Sequence, residues 1–144
     1  MLLEKDVINA VCSELQKHGY TIKQTIIGNR HGEDILAEKN NVKFSIEAKG
    51  ETTSGKTSRE GKPFTSSQVR THISVALYKS AEILSKYNFD QQIRVGIALA
   101  KTKSHINTVN KILPVINKLG IYIFWVNENM TVEIVLPESK EIAF

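Results

Sequence analysis

The chain has 144 residues, 41% hydrophobic and 24% charged, with a formal net charge of +4 at pH 7. That bounds it to one domain with enough residues for a core; with no apolar run of membrane-spanning length and no signal-peptide pattern at the N-terminus, a cytoplasmic protein is expected. The single cysteine, Cys12, excludes an internal disulfide and a multi-cysteine zinc site, while the modest positive charge permits a polyanionic partner without demanding one.

Residues 3–18 read as an amphipathic helix: Leu3, Val7, Val11 and Leu15 recur at helical spacing, with Ile8 and Cys12 beside them. Cys12 is expected as buried filler on that helix, and Gly19 ends it. Tyr20 to Ile27 predicts a first strand, "RHGED" a turn, and Asp34 to Glu38 the start of a second strand. Asn40-Asn41 turns the chain into a third. There Val42, Phe44, Ile46 and Ala48 point one way, and Lys43, Ser45, Glu47 and Lys49 the other. Residues 50–64 form a loop rich in Gly, Ser and Thr. Thr65 to Lys86 is a long helix with Val69, Ile73, Ala76, Leu77 and Ile83 on or near one face. Ile93 to Leu99 reads as a buried strand. Ser104 to Leu119 is helical by periodicity, with a kink or break expected at Pro114. Ile121 to Val126 is a second apolar strand, and Thr131 to Val135 a hairpin arm after Asn127-Glu128-Asn129. The whole chain, 1–144, therefore reads as a single α/β domain with a mixed sheet.

Two functional patterns meet at Gly50. Gly50-Glu-Thr-Thr-Ser-Gly55-Lys56-Thr57 matches a phosphate loop, and Glu47-Ala48-Lys49 matches half of a metal-dependent nuclease site. A phosphate loop opens directly into a helix whose N-terminus faces the phosphates. Here Gly61 and Pro63 follow too soon for a regular helix at Lys56. The preceding strand also carries alternating charges, and the strand Ile121 to Val126 leads into Asn127 rather than a magnesium-holding acid. A nucleotide hydrolase is thus the weaker expectation.

The nuclease pattern uses more of the chain. Asp34 opens the second strand, and Glu47 stands on the next strand with Lys49 two positions on and on the same face. In a hairpin Asp34 and Glu47 come together, and two carboxylates that close repel unless a cation sits between them. Mg²⁺ accepts one or two carboxylates and keeps waters, one of which can become a nucleophile. A neighbouring lysine can help to deprotonate that water or stabilise charge on the attacked phosphate. Lys49, Lys56, Arg59, Lys62 and Arg70 fall within one short region, which is either a solvated loop or a grip on a phosphate backbone.

The segments "Gly32-Glu-Asp34-Ile-Leu-Ala" and "Phe44-Ser-Ile-Glu47-Ala-Lys49-Gly" resemble the PD-(D/E)xK nuclease superfamily. The resemblance covers about the first 100 residues and includes the order helix, three strands, helix, strand. Glu33 stands where the family name has proline. In size and spacing the chain is similar to Holliday-junction resolvases and small restriction-like proteins. The resemblance implies a restriction-endonuclease-like three-layer sandwich, a mixed sheet flanked by helices, with the αβββαβ core followed by C-terminal α and β elements. It implies a DNA endonuclease that uses Mg²⁺, with Mn²⁺ as substitute, held by Asp34, Glu47 and the Ala48 carbonyl. It further implies a glutamate from the first helix at the site, Glu4 by its register with Val7 and Val11 ahead of Glu14, and a glutamine on the helix after the strand, Gln68. Lys56, Arg59, Lys62, Arg70 and His72 are the expected DNA contacts. A symmetric homodimer suits an enzyme that cuts both strands.

Plainer roles exist for the same residues. Asp34 suits a turn, Lys49 a solvated strand end, and Glu47 a salt bridge to Lys49 or Arg70. Gln68 is the third position of a capping box, Thr65-Ser-Ser-Gln68. A DNA-binding or dimerisation module without catalysis is the alternative function on the same fold.

Overall fold

A computed structural model describes residues 1–26, 32–53 and 60–137. These form four helices and one six-stranded mixed sheet. The order is α1 (Glu4–Lys17), β1 (Thr21–Thr25), β2 (Ile35–Lys39), β3 (Val42–Lys49), α2 (Ser66–Lys86), β4 (Ile93–Ala100), α3 (Lys103–Asn110), α4 (Leu113–Leu119), β5 (Ile121–Val126) and β6 (Val132–Val135). The strands lie side by side in chain order. β1, β2 and β3 form an antiparallel meander; β3, β4 and β5 run parallel; β6 folds back antiparallel on β5. Parallel neighbours need a crossover. α2 supplies it between β3 and β4, and α3 with α4 between β4 and β5.

The crossovers explain the core. Val7, Ile8, Val11 and Leu15 of α1 pack on one sheet face against Phe44, Ile46, Ala98, Tyr122 and Phe124. Val69, Ile73, Ala76 and Leu84 of α2, with Val109 and Ile116, pack on the other against Ile97, Leu99, Ile121 and Ile123. The central strands are therefore covered on both sides. The alternation read along β3 is real, but its polar face is not open. Lys43 is exposed, whereas Ser45 and Glu47 are buried on the α2 side. The charged face read on that strand is thus no reason to discount a phosphate loop after it.

Local signals behave as their chemistry requires. Thr65 caps α2: its Oγ1 accepts from the Gln68 N–H at 3.2 Å, and its own N–H donates to Gln68 Oε1 at 2.8 Å. The predicted helix from Ser104 to Leu119 is two helices, because Pro114 cannot donate within a helix but fits the first turn of α4. Leu77 and Ile83 are only partly buried; Ser80 and Leu84 take the inward places beside Val69, Ile73 and Ala76. Cys12 is half-buried against the α1-side core, and burial pushes its thiol up to about 11. Ile27, read as the end of β1, lies outside the described residues. No described helix is long and apolar enough to cross a membrane.

Candidate functional site

β2 and β3 place the two carboxylates. Ile35 pairs with Ile46 in an antiparallel register, so one step further Asp34 stands opposite Glu47 on the same sheet face. Both residues are buried, at 8% and 4% exposure. The Ala48 N–H donates to Asp34 Oδ2 at 2.8 Å, which fixes that carboxylate across the end of β3. The Lys43 N–H donates to the Gln92 carbonyl just before β4. Odd-numbered residues of β3 therefore face β4 and even-numbered ones face β2. In a strand, N–H and C=O of one residue point to the same side, so the Ala48 carbonyl faces the Asp34 edge as well.

The electrostatics of the pair follow from this burial. The Glu47 carboxyl is pushed up to about 7, first by burial and then by the charge of Asp34, against the pull of Lys79. Lys79, on α2, sets its Nζ 3.3 Å from Glu47 Oε2. The salt bridge to Lys49 or Arg70, the plainer alternative for Glu47, is made instead to Lys79, a residue that sequence reasoning missed. Lys79 lies three positions after the buried Ala76 and just before the buried Ser80, at the flank of the inward stripe. That flank was the one available signal.

Lys49 turns to the first helix. Its Nζ lies 3.3 Å from Glu4 Oε1, both side chains being about one-quarter to one-third exposed (25% and 30%). Burial raises the Glu4 carboxyl, with Lys49 opposing and Asp34 adding to the shift. Gly50 makes the approach possible: a Cβ there would lie 2.5 Å from the Glu4 amide nitrogen and 2.6 Å from the Leu3 carbonyl carbon. Of the two glutamates considered on α1, Glu4 is the one beside Lys49. Glu14 pairs with Lys17 and His18 at the other end of the helix.

Other expected residues are dispersed. Gln68 has its Oε1 committed to the Thr65 cap. Arg70 and Lys62 are exposed, while Lys56, Arg59 and the Gly55-Lys56-Thr57 stretch lie outside the described residues. The next described helix begins only at Ser66. The base of the loop is tied: Thr52 Oγ1 donates to the Lys62 carbonyl at 2.6 Å, and the Phe64 N–H to the Glu51 carbonyl at 2.9 Å. His72 is turned inward, its ring edge-on to Phe64 at 4.5 Å between centroids, with Nδ1 buried and without a hydrogen-bond partner among the described residues. Burial, with Lys49 nearby, lowers its pKa. His105 is buried at the start of α3, paired through Nδ1 to Thr102 Oγ1 at 2.7 Å, and its pKa falls to about 4 through burial and then His72.

Among the described residues, no three His, Cys, Asp or Glu side chains gather closely enough to bind an ion by side chains alone. The Asp34 and Glu47 carboxylates interact with one another, and the Ala48 carbonyl points to the same strand edge as Asp34; all are hard oxygen donors. That set fits Mg²⁺, which takes one or two carboxylates and completes its shell with water. No protein-family model matches the chain, and no curated protein matches it.

Proposed function

We propose that this protein is a divalent-metal-dependent DNA endonuclease on a restriction-endonuclease-like fold, with Asp34, Glu47, Ala48 and Lys49 at its centre. One observation carries the proposal: two buried carboxylates lie on one sheet face, Glu47 is balanced by a half-exposed lysine, and the Glu47 carboxyl is held far above its usual range. A purely structural pair of acids gains nothing from that arrangement, since each desolvated charge raises the cost of the other. The element order from α1 to β4 agrees with the αβββαβ core of that fold.

When bound, Mg²⁺, or Mn²⁺ in its place, supplies Lewis acidity and an activated water. Asp34, Glu47 and the Ala48 carbonyl are the holding oxygens, and the Ala48 N–H keeps Asp34 in its rotamer. Glu4 anchors the Lys49 ammonium, which acts on the water or on charge developing at the attacked phosphate. Lys62 and Arg70, with Lys56 and Arg59 of the same loop and helix region, contact the DNA backbone. Two copies would serve to cut both strands.

The Lys79–Glu47 ion pair favours a second reading, a DNA-binding or dimer-forming module that keeps the fold and neutralises the old site with lysine. One assay separates them. Supercoiled, linear, branched and single-stranded DNA are incubated with the protein in Mg²⁺, in Mn²⁺ and in chelator, beside Asp34→Asn. Cleavage that needs the metal and is lost in Asp34→Asn supports the endonuclease. Retention of DNA without cleavage supports the module. ATP hydrolysis that depends on Lys56, with no DNA cleavage, would assign the chain to the phosphate loop instead.

A further inference from the structure

The carboxylate pair already carries a cation, and that cation belongs to the chain. Lys79 Nζ sits 3.3 Å from Glu47 Oε2, with 42% of the lysine side chain exposed but only 4% of the glutamate. The two partners are therefore unequal. Glu47 is almost wholly withdrawn from water, and its charged form needs a positive charge beside it. Lys79 is rooted on the packed side of α2, between Ala76 and Ser80, but its tip borders solvent and can withdraw along its own flexible stem. Lys49, the other lysine near the pair, is engaged by Glu4.

We propose that Lys79 is a tethered counter-ion of the Asp34–Glu47 pair: its ammonium holds Glu47 in place when no divalent ion is bound and is displaced from it when one binds. This rests on the metal-site assignment given above. Lys79 is then a positioning residue rather than a catalytic one. It keeps two desolvated carboxylates facing one another in the metal-free protein, at the cost of some metal affinity, because lysine and metal compete for the same Glu47 oxygens. Removing it therefore has two effects of opposite sign. The metal-free protein loses a favourable charge, and the divalent ion loses a competitor. A lysine with only a structural role would produce the first effect alone, and any loosening of the site would then weaken metal binding.

The test is Mn²⁺ binding, read from the free-ion paramagnetic resonance signal, together with thermal melting in chelator, for wild type, Lys79→Gln, Lys79→Arg and Glu47→Gln. Titrations are run at about pH 8, where protons compete less for Glu47. The expected result for Lys79→Gln is Mn²⁺ affinity tightened about three- to fivefold, the increment of a half-exposed ion pair, with the chelated protein melting about 2–4 °C lower. Lys79→Arg keeps the charge and should stay near wild type on both readouts. Equal or weaker Mn²⁺ binding by Lys79→Gln, with binding still abolished in Glu47→Gln, overturns the counter-ion role and leaves the metal site standing. Mn²⁺ binding that survives Glu47→Gln places the ion elsewhere and overturns both.

Discussion

Glu47→Gln should stabilise the metal-free protein at alkaline pH while removing a ligand of the proposed metal site. The Glu47 carboxyl moves from 4.5 to about 7 on folding, through burial and the Asp34 charge. A carboxyl raised in this way stabilises the fold only while protonated: its contribution is full below about 4.5 and is lost as the pH rises through about 7. At 1.36 kcal/mol per unit, the charged form costs about 3 kcal/mol at about pH 8. Glutamine has the same shape without the charge, and its amide can donate to Asp34. It gives up the bridge to Lys79, but the pull of that lysine is already contained in the raised carboxyl. The net gain is therefore about 3 kcal/mol, or about 6–12 °C in melting temperature for a chain of this size. The wild-type curve alone is a poor probe, because His105 acts in the opposite direction over nearly the same range. Its pKa falls from 6.5 to about 4, so its contribution is present above 6.5 and is lost as the pH falls through about 4. The difference between variant and wild type cancels that histidine. Melting both proteins in chelator from about pH 4 to about pH 9 should give curves that meet at the acid end, separate between about pH 4.5 and about pH 7 and stay apart above it, with glutamine the more stable. A difference that does not change with pH, or a variant less stable than wild type at about pH 8, would refute the burial-and-repulsion account of Glu47.

Lys49→Ala should slow single-turnover DNA cleavage by about a hundredfold or more with little change in DNA affinity, whereas Lys56→Ala should weaken DNA binding and lower its salt slope by about one. The reverse order, with nucleotide hydrolysis lost in Lys56→Ala, would return the chain to the phosphate-loop class. Gly50→Ala should cost about 1–3 kcal/mol in urea unfolding, since the new methyl meets backbone rather than a side chain, and it should also slow cleavage by shifting Glu4 away from Lys49. Thr65→Ala should cost about 1 kcal/mol through loss of the α2 cap; an unchanged unfolding midpoint would mean that the cap contributes nothing.

The parts of the fold that could be read from the chain were those written in local periodicity. The stripe Val7, Val11, Leu15 sets α1, Gly19 and Asn40-Asn41 set turns, and Pro114 divides α3 from α4. The Asp34…Glu47-x-Lys49 spacing was legible because strand period places all three residues once a hairpin is assumed, and the pairing of Ile35 with Ile46 is that hairpin. What stayed hidden depends on how α2 lies across the sheet. No pattern between positions 47 and 79 announces an ion pair; it exists because the inward stripe of α2 sets Lys79 over β3. The same blindness misjudged the polar face of β3, which looks solvent-facing by alternation but lies under that helix. Nothing in the sequence marked His105 as buried. Its burial follows from Thr102 capping α3 and drawing the ring inward.

The endonuclease account depends on one ion at one place. Anomalous diffraction from crystals soaked in Mn²⁺ locates it directly. The account predicts a peak between the Asp34 and Glu47 carboxylates and against the Ala48 carbonyl, with the Lys79 ammonium withdrawn from Glu47. A protein that shows no peak there, while its Asp34 and Glu47 side chains keep the positions described and Lys79 stays bound, would contradict it.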